Sequence, residues 1–167
     1  MGARSLHSAQ HFEFPDWSLP ILANLTALEV ASRYSAAISD GDNDQMTSLR
    51  SADFVMDFVH TDAEAADPPS AETARTFWTT WLSAFPEYDW HVTRTVAADE
   101  VVVTQWVFSG THEATIEQPI FDPPLEATGR TISIRGVSFY DIKDGLIERE
   151  TLYIDLATLI VELGAEL

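Results

Sequence analysis

Helical spacing of apolar positions prevails from about residue 24 to 85, interrupted by one alternating run, and alternation prevails from there to a short closing helix. The first helix is predicted from about Asn24 to Ser39. Leu25, Leu28, Ala31, Ser32 and Ser35 share a stripe that Ile38 extends. Thr26 and Glu29 have the spacing of a capping box, which would move the start by two residues, and Asp40-Gly41 is a stop signal. A short second helix is predicted over Asp44 to Leu49. Asp53 to His60 then alternates as a strand, with Asp53, Val55, Asp57 and Val59 on one face and Phe54, Met56, Phe58 and His60 on the other. Thr61 to Pro69 reads as an acidic loop. Ser70 is placed to cap a helix reaching Phe85, whose apolar stripe is Phe77, Trp78, Trp81, Leu82 and Phe85.

Beyond Pro86 the period is two. Strands are predicted over Trp90–Ala97, Val101–His112, Thr131–Ile142 and Leu146–Ile154, and Asp144-Gly145 is a hairpin signal. Glu113 to Thr128 carries three prolines and joins two strands by an excursion long enough for a lid or binding loop. Leu156, Leu159, Ile160 and Leu163 form a short closing helix stopped by Gly164. Helices followed by a meander predict an α+β fold: a cone-shaped, curved antiparallel sheet wrapped on N-terminal helices. Residues 1–23, with Pro15 and Pro20, are expected to be an irregular arm, and 24–167 a single domain. An apolar pocket inside the cone is the default site.

Composition narrows the partners. Nine Lys and Arg stand against 27 Asp and Glu, a formal charge of −18. Nucleic acid and anionic membranes both require a basic face, so neither is expected as a partner. There is no Cys, so thiol chemistry is excluded. No apolar run is long enough to span a membrane, and the N-terminus lacks the order of a secretory signal, so a cytoplasmic location is expected. Asp40-Gly41-Asp42-Asn43-Asp44 begins like a calcium loop but has Gln45 and Ser51 at the decisive places. No metal site, phosphate loop or dinucleotide fingerprint is read, and any chemistry is expected to be cofactor-free.

Four segments in order carry a resemblance. They are Ala84-Phe85-Pro86-Glu87; Gly110-Thr111-His112; Thr128-Gly129-Arg130; and Asp144-Gly145-Leu146-Ile147 leading to Tyr153, Asp155 and Glu162-Leu163-Gly164. Together they resemble the SnoaL-like polyketide cyclases, within the nuclear-transport-factor-2-like superfamily. The resemblance implies a cone fold, a homodimer through the sheet, a small apolar carbonyl compound such as a polyketide as substrate, and Asp155 as general acid/base of an aldol closure, isomerisation or dehydration. Ala114, Ala127 and Glu162 depart from the family pattern, and Glu150 and Tyr140 stand near positions where polyketide cyclases often carry His.

The residues themselves leave alternatives open. Asp155 directly precedes the last helix, so it is either an N-cap or, at the edge of an apolar cone, a desolvated base. His112 shares strand parity with Thr104, Trp106, Phe108 and Gly110, and either polarises a substrate carbonyl or serves as a satisfied strand-end histidine. Tyr34, Asp57 and Tyr140 form a third group, in which Asp57 either faces the cavity or faces water. Trp78, Trp106, Phe108, Phe121 and Tyr153 supply pocket walls or core, with Phe121 in the long loop best placed as a lid residue. The competing function is a non-catalytic module that holds a hydrophobic ligand or dimerises. An epoxide hydrolase ranks lower, because Arg135 and Arg149 lack the Arg-x-Asp spacing.

Overall fold

A computed structural model describes residues 25–59, 71–117, 121 and 123–165. The expected arm over residues 1–23 and the expected loop from Thr61 to Pro69 lie outside them.

The element order is α1 (Ala27–Asp40), α2 (Asn43–Ser48), β1 (Arg50–Phe58), α3 (Ala71–Ala84), β2 (Tyr88–Ala98), β3 (Val101–Thr111), β4 (Thr131–Lys143), β5 (Leu146–Ile154) and α4 (Leu156–Leu163). Helix α1 begins at the capping box: the Glu29 N–H donates to Thr26 Oγ1, and the Thr26 N–H donates back to Glu29 Oε2 at 2.8 Å. It ends at Gly41, whose φ of 67° needs no Cβ to be accommodated. Its buried stripe is Val30, Ala31, Tyr34, Ser35, Ala37 and Ile38. Leu28 and Ser32, expected on that stripe, face solvent instead, because the sheet meets the helix along the Val30–Tyr34–Ala37 side. In α3 the expected stripe of Phe77, Trp78, Trp81 and Leu82 is buried, and Phe85 continues it past the helix end.

The five strands form one sheet in the order β1-β5-β4-β3-β2. From β2 to β5 it is the expected antiparallel meander. The edge differs: β1 pairs parallel with β5, since α3 and the whole meander intervene between them. β1 also starts three residues earlier than expected, at Arg50, which pairs with Ile147. The β4–β5 hairpin turns on Asp144 (φ 50°) and Gly145 (φ 78°), the doubly left-handed geometry that suits the twist of paired strands.

The concave face is read from β3 and β4. Val102, Thr104, Trp106, Phe108 and Gly110 are buried in alternation, and so are Ile132, Ile134, Gly136, Ser138, Tyr140 and Ile142. Helices α1 and α3 close this face with their aromatic residues. Gly136 has a specific packing role: a Cβ there would lie 2.1 Å from the Trp106 ring, so only glycine lets the indole rest flat across β4.

Candidate functional site

The concave face holds two separate groups of polar side chains. The first surrounds Glu150 of β5. Its carboxylate is fully buried, among residues delivered by three other elements. Tyr34 from α1 donates its hydroxyl proton to Glu150 Oε2 at 2.9 Å. Arg50, at the start of β1, donates to the Tyr34 hydroxyl from Nε at 3.0 Å and also from Nη2. Its guanidinium carbon lies 4.7 Å from the Phe54 ring centroid, a contact that suits a weakly hydrated cation. Ser138 of β4 donates to Glu150 Oε1 over a long 3.4 Å and accepts from Trp106 Nε1 at 3.1 Å. Tyr140, directly across the ladder from Glu150, packs edge-on against Tyr34 with ring centroids 5.6 Å apart.

Burial dominates the electrostatics of this group. It pushes the Glu150 carboxyl above its ordinary range, against the opposing pull of Arg50, Tyr34 and Ser138. Burial and the nearby Glu150 charge likewise raise both Tyr34 and Tyr140. The Tyr140 hydroxyl and Thr104 Oγ1, on neighbouring strands of the same face, complete no full hydrogen bond, although Ser138 and Thr104 lie close enough to Tyr140 to temper its rise. Unpaired buried hydroxyls are costly, and they are groups a bound molecule can satisfy.

The second group lies at the other end of the sheet. His112 is fully buried, as its parity with Trp106 and Phe108 suggested, and its ring sits 5.5 Å from Phe85. Nδ1 accepts from the Thr128 N–H at 3.3 Å, with Thr128 Oγ1 at 3.1 Å. A neutral ring therefore carries its proton on Nε2, which is buried and unpaired. Desolvation lowers the imidazole below its usual range, and the Ala114 backbone offsets part of this. The ladder pairs Val102 with Tyr140 and Tyr140 with Glu150, whereas His112 follows the Thr111–Thr131 pair. At about 3.3 Å per residue, the two groups are roughly 30 Å apart along β3. They cannot grip the same atom of a small substrate.

Asp155 joins neither group. It is exposed and caps α4, accepting from the Thr158 N–H at 3.0 Å and from Thr158 Oγ1 at 2.7 Å. These bonds lower its carboxyl below the ordinary range. The expected desolvated, elevated carboxylate is therefore found at Glu150, not here. Cap formation turns the Asp155 oxygens back along α4.

The third expected group also divides. Tyr34 and Tyr140 face inward together, whereas Asp57 lies on the opposite face of β1 and pairs with Arg149 at 3.4 Å, both half-exposed. Tyr153 is 45% exposed and packs against Phe139 on the convex face, so it is not a wall of the cone. Trp78 is buried edge-on to Trp90, with its Nε1 unpaired. Trp90 in turn stacks on Trp106 with centroids 4.4 Å apart. Phe108 sits among Trp81, Phe85 and Tyr88. The long loop is tied down by an Ile116–Leu125 bridge and by the Glu113 N–H on the Ala84 carbonyl, with half-buried Phe121 against the core.

An open cleft of about 950 Å³ lies at the Gly110 end of β3, beside Asp40, Glu87, Tyr88 and Glu113, and is lined by none of the candidate residues above. Among the described residues no group of three or more His, Asp or Glu is placed to hold a metal ion.

No curated protein matches the sequence. Among solved structures, AclR of Streptomyces galilaeus, described as a candidate hydroxylase, superposes with a TM-score of 0.70 at 20% identity, over 83% of this chain and 95% of its own. TsrD of Streptomyces laurentii gives 0.66 at 21% identity, over 83% and 95%. IdmH of Streptomyces antibioticus, described as a candidate polyketide cyclase, gives 0.66 at 24% identity, over 83% and 99%. At such identities these likenesses establish the cone fold. The family model for SnoaL-like polyketide cyclase matches residues 28–163, from α1 to the end of α4. With every element of the cone inside that match, the chain belongs to the SnoaL-like polyketide cyclase family.

Proposed function

We propose that this protein binds a small, apolar, carbonyl-bearing molecule of polyketide type inside the cone and acts on it by cofactor-independent acid–base chemistry, with Glu150 as the proton-transferring group. The observation that carries this reading is the buried Glu150 carboxyl on the same face as two hydroxyls, Tyr140 and Thr104, neither of which completes a full hydrogen bond. A carboxyl held above its ordinary range by desolvation is a competent base toward carbon between two carbonyls. The two hydroxyls are donors suited to the enolate oxygen that forms. The stacked Trp90 and Trp106 indoles on the same face suit a planar, apolar substrate.

The test uses a phenyl-substituted β-keto ester in D2O, with exchange of its central proton followed by NMR. The wild-type protein is expected to exceed the solvent rate, and Glu150→Gln to lose about 100-fold or more of that excess. Asp155→Asn is expected to retain it. Undiminished exchange in Glu150→Gln overturns the assignment. A non-catalytic ligand holder is the second reading, favoured by the way Tyr34 and Ser138 already engage both Glu150 oxygens. Saturable binding of the same probe with exchange at the solvent rate selects it.

A further inference from the structure

The hydrogen bonds around Tyr34 leave it no freedom. A phenol oxygen has one proton to give and two lone pairs to receive. Arg50 fills the receiving side from both Nε and Nη2, and the single proton is committed to Glu150 Oε2. Arg50 and Glu150 make no direct ion pair within 4.0 Å, so the phenol stands between the two charges. The other carboxylate oxygen is differently placed. Oε1 has only the 3.4 Å contact from Ser138, whose oxygen is also claimed by Trp106 Nε1. The charged and titratable groups facing Glu150 are Tyr34 from α1, Arg50 from β1 and Tyr140 from β4.

We propose that Tyr34, held in place by Arg50, occupies Glu150 Oε2, so that the two act as positioning residues that reserve Oε1, on the Ser138 and Trp106 side, as the oxygen that exchanges a proton with substrate. This rests on the acid–base reading above. In the step itself, Oε1 takes the proton from carbon between two carbonyls. The carbon–hydrogen electron pair moves onto the carbonyl oxygen as an enolate, and the same carboxyl oxygen returns to carbon either that proton or, once the carboxyl proton has exchanged with D2O, a deuteron. No oxidant or further reactant is consumed. The reacting carbon then lies on the Ser138 and Trp106 side of Glu150, and not at the His112 end.

Two variants test this, Tyr34→Phe and Arg50→Lys, with two readouts each. One is the titration midpoint of the Glu150 carboxyl in ligand-free protein labelled with ¹³C-glutamate, the resonance being assigned by its loss in Glu150→Gln. The other is the pH profile of deuterium exchange into the β-keto ester. Tyr34→Phe removes the donor to Oε2, and the midpoint and the rising limb of the profile are expected to move up together by about one pH unit. Arg50→Lys restores the charge without the two-point hold and is expected to give a smaller shift in the same direction. An unmoved midpoint and profile in Tyr34→Phe, with only a lower melting temperature, overturns the positioning role. Absence of exchange in the wild-type protein overturns the catalytic reading and the reserved role of Oε1 with it, while a shifted midpoint still establishes the grip on Oε2.

Discussion

Glu150 makes this fold sensitive to pH in a definite direction. Its carboxyl is raised in the folded protein, so the folded state holds that proton more tightly than the unfolded chain does. Below the ordinary carboxylate range both states are protonated and the contribution is fully present. As pH climbs from about 4.5 through the folded midpoint, the unfolded chain ionises first and stability drains away. The melting temperature of wild type relative to Glu150→Gln is therefore expected to fall over that window and to level off above it. A difference that stays constant from pH 4 to pH 8 contradicts the assignment. Simple alternation missed this residue. Counting by twos from buried Ile147 places Arg149 inside and Glu150 outside. The β4–β5 register slips between Asp141 and Ile142, which inserts an extra residue in β5 and reverses the parity. Counting back from buried Leu152 gives the right face. Tyr140 is legible because strand periodicity places it directly, whereas Tyr34 lies off the stripe expected for α1, which ran through Leu28 and Ser32. Arg50 is not legible, since a cation preceding an expected strand carries no sign that it will be buried.

At the level of elements, α4 depends on its cap. Asp155 satisfies the first turn through Thr158, and Gly164 closes the other end with φ 71°. Asp155→Ala is expected to lower the melting temperature by about 2–4 °C, and Asp155→Asn, which also caps, by clearly less. Equal losses in the two variants would show that charge and not capping is what α4 draws from this residue. Helix and strand positions were largely readable, because capping boxes, Asp-Gly stops and period-two runs act locally. The parallel seating of β1 was not, since it is decided by a partner nearly a hundred residues away in the chain. The site shares that limitation: Tyr34, Arg50, Ser138 and Glu150 come from four elements, and only the closed sheet brings them together.

For the molecule as a whole, the convex sheet face stands out against a chain of charge −18. Val101, Phe139 and Tyr153 are exposed there, beside the half-exposed Arg149–Asp57 pair. We propose a homodimer through this face, in which like charges on the two copies would make association depend on ionic strength. Sedimentation at about 0.02 M and about 0.5 M salt should show roughly tenfold weaker association at the lower value. Association that is indifferent to salt contradicts the arrangement. The interior offers a different handle. Trp90 and Trp106 lie nearly parallel at 4.4 Å, with Trp78 edge-on to the first of them. Chromophores this close share their excitation, so the near-ultraviolet dichroism of the protein carries a coupled indole signature. A guest that wedges beside Trp106 must disturb that coupling, which gives the cone its own unlabelled optical gauge of occupancy.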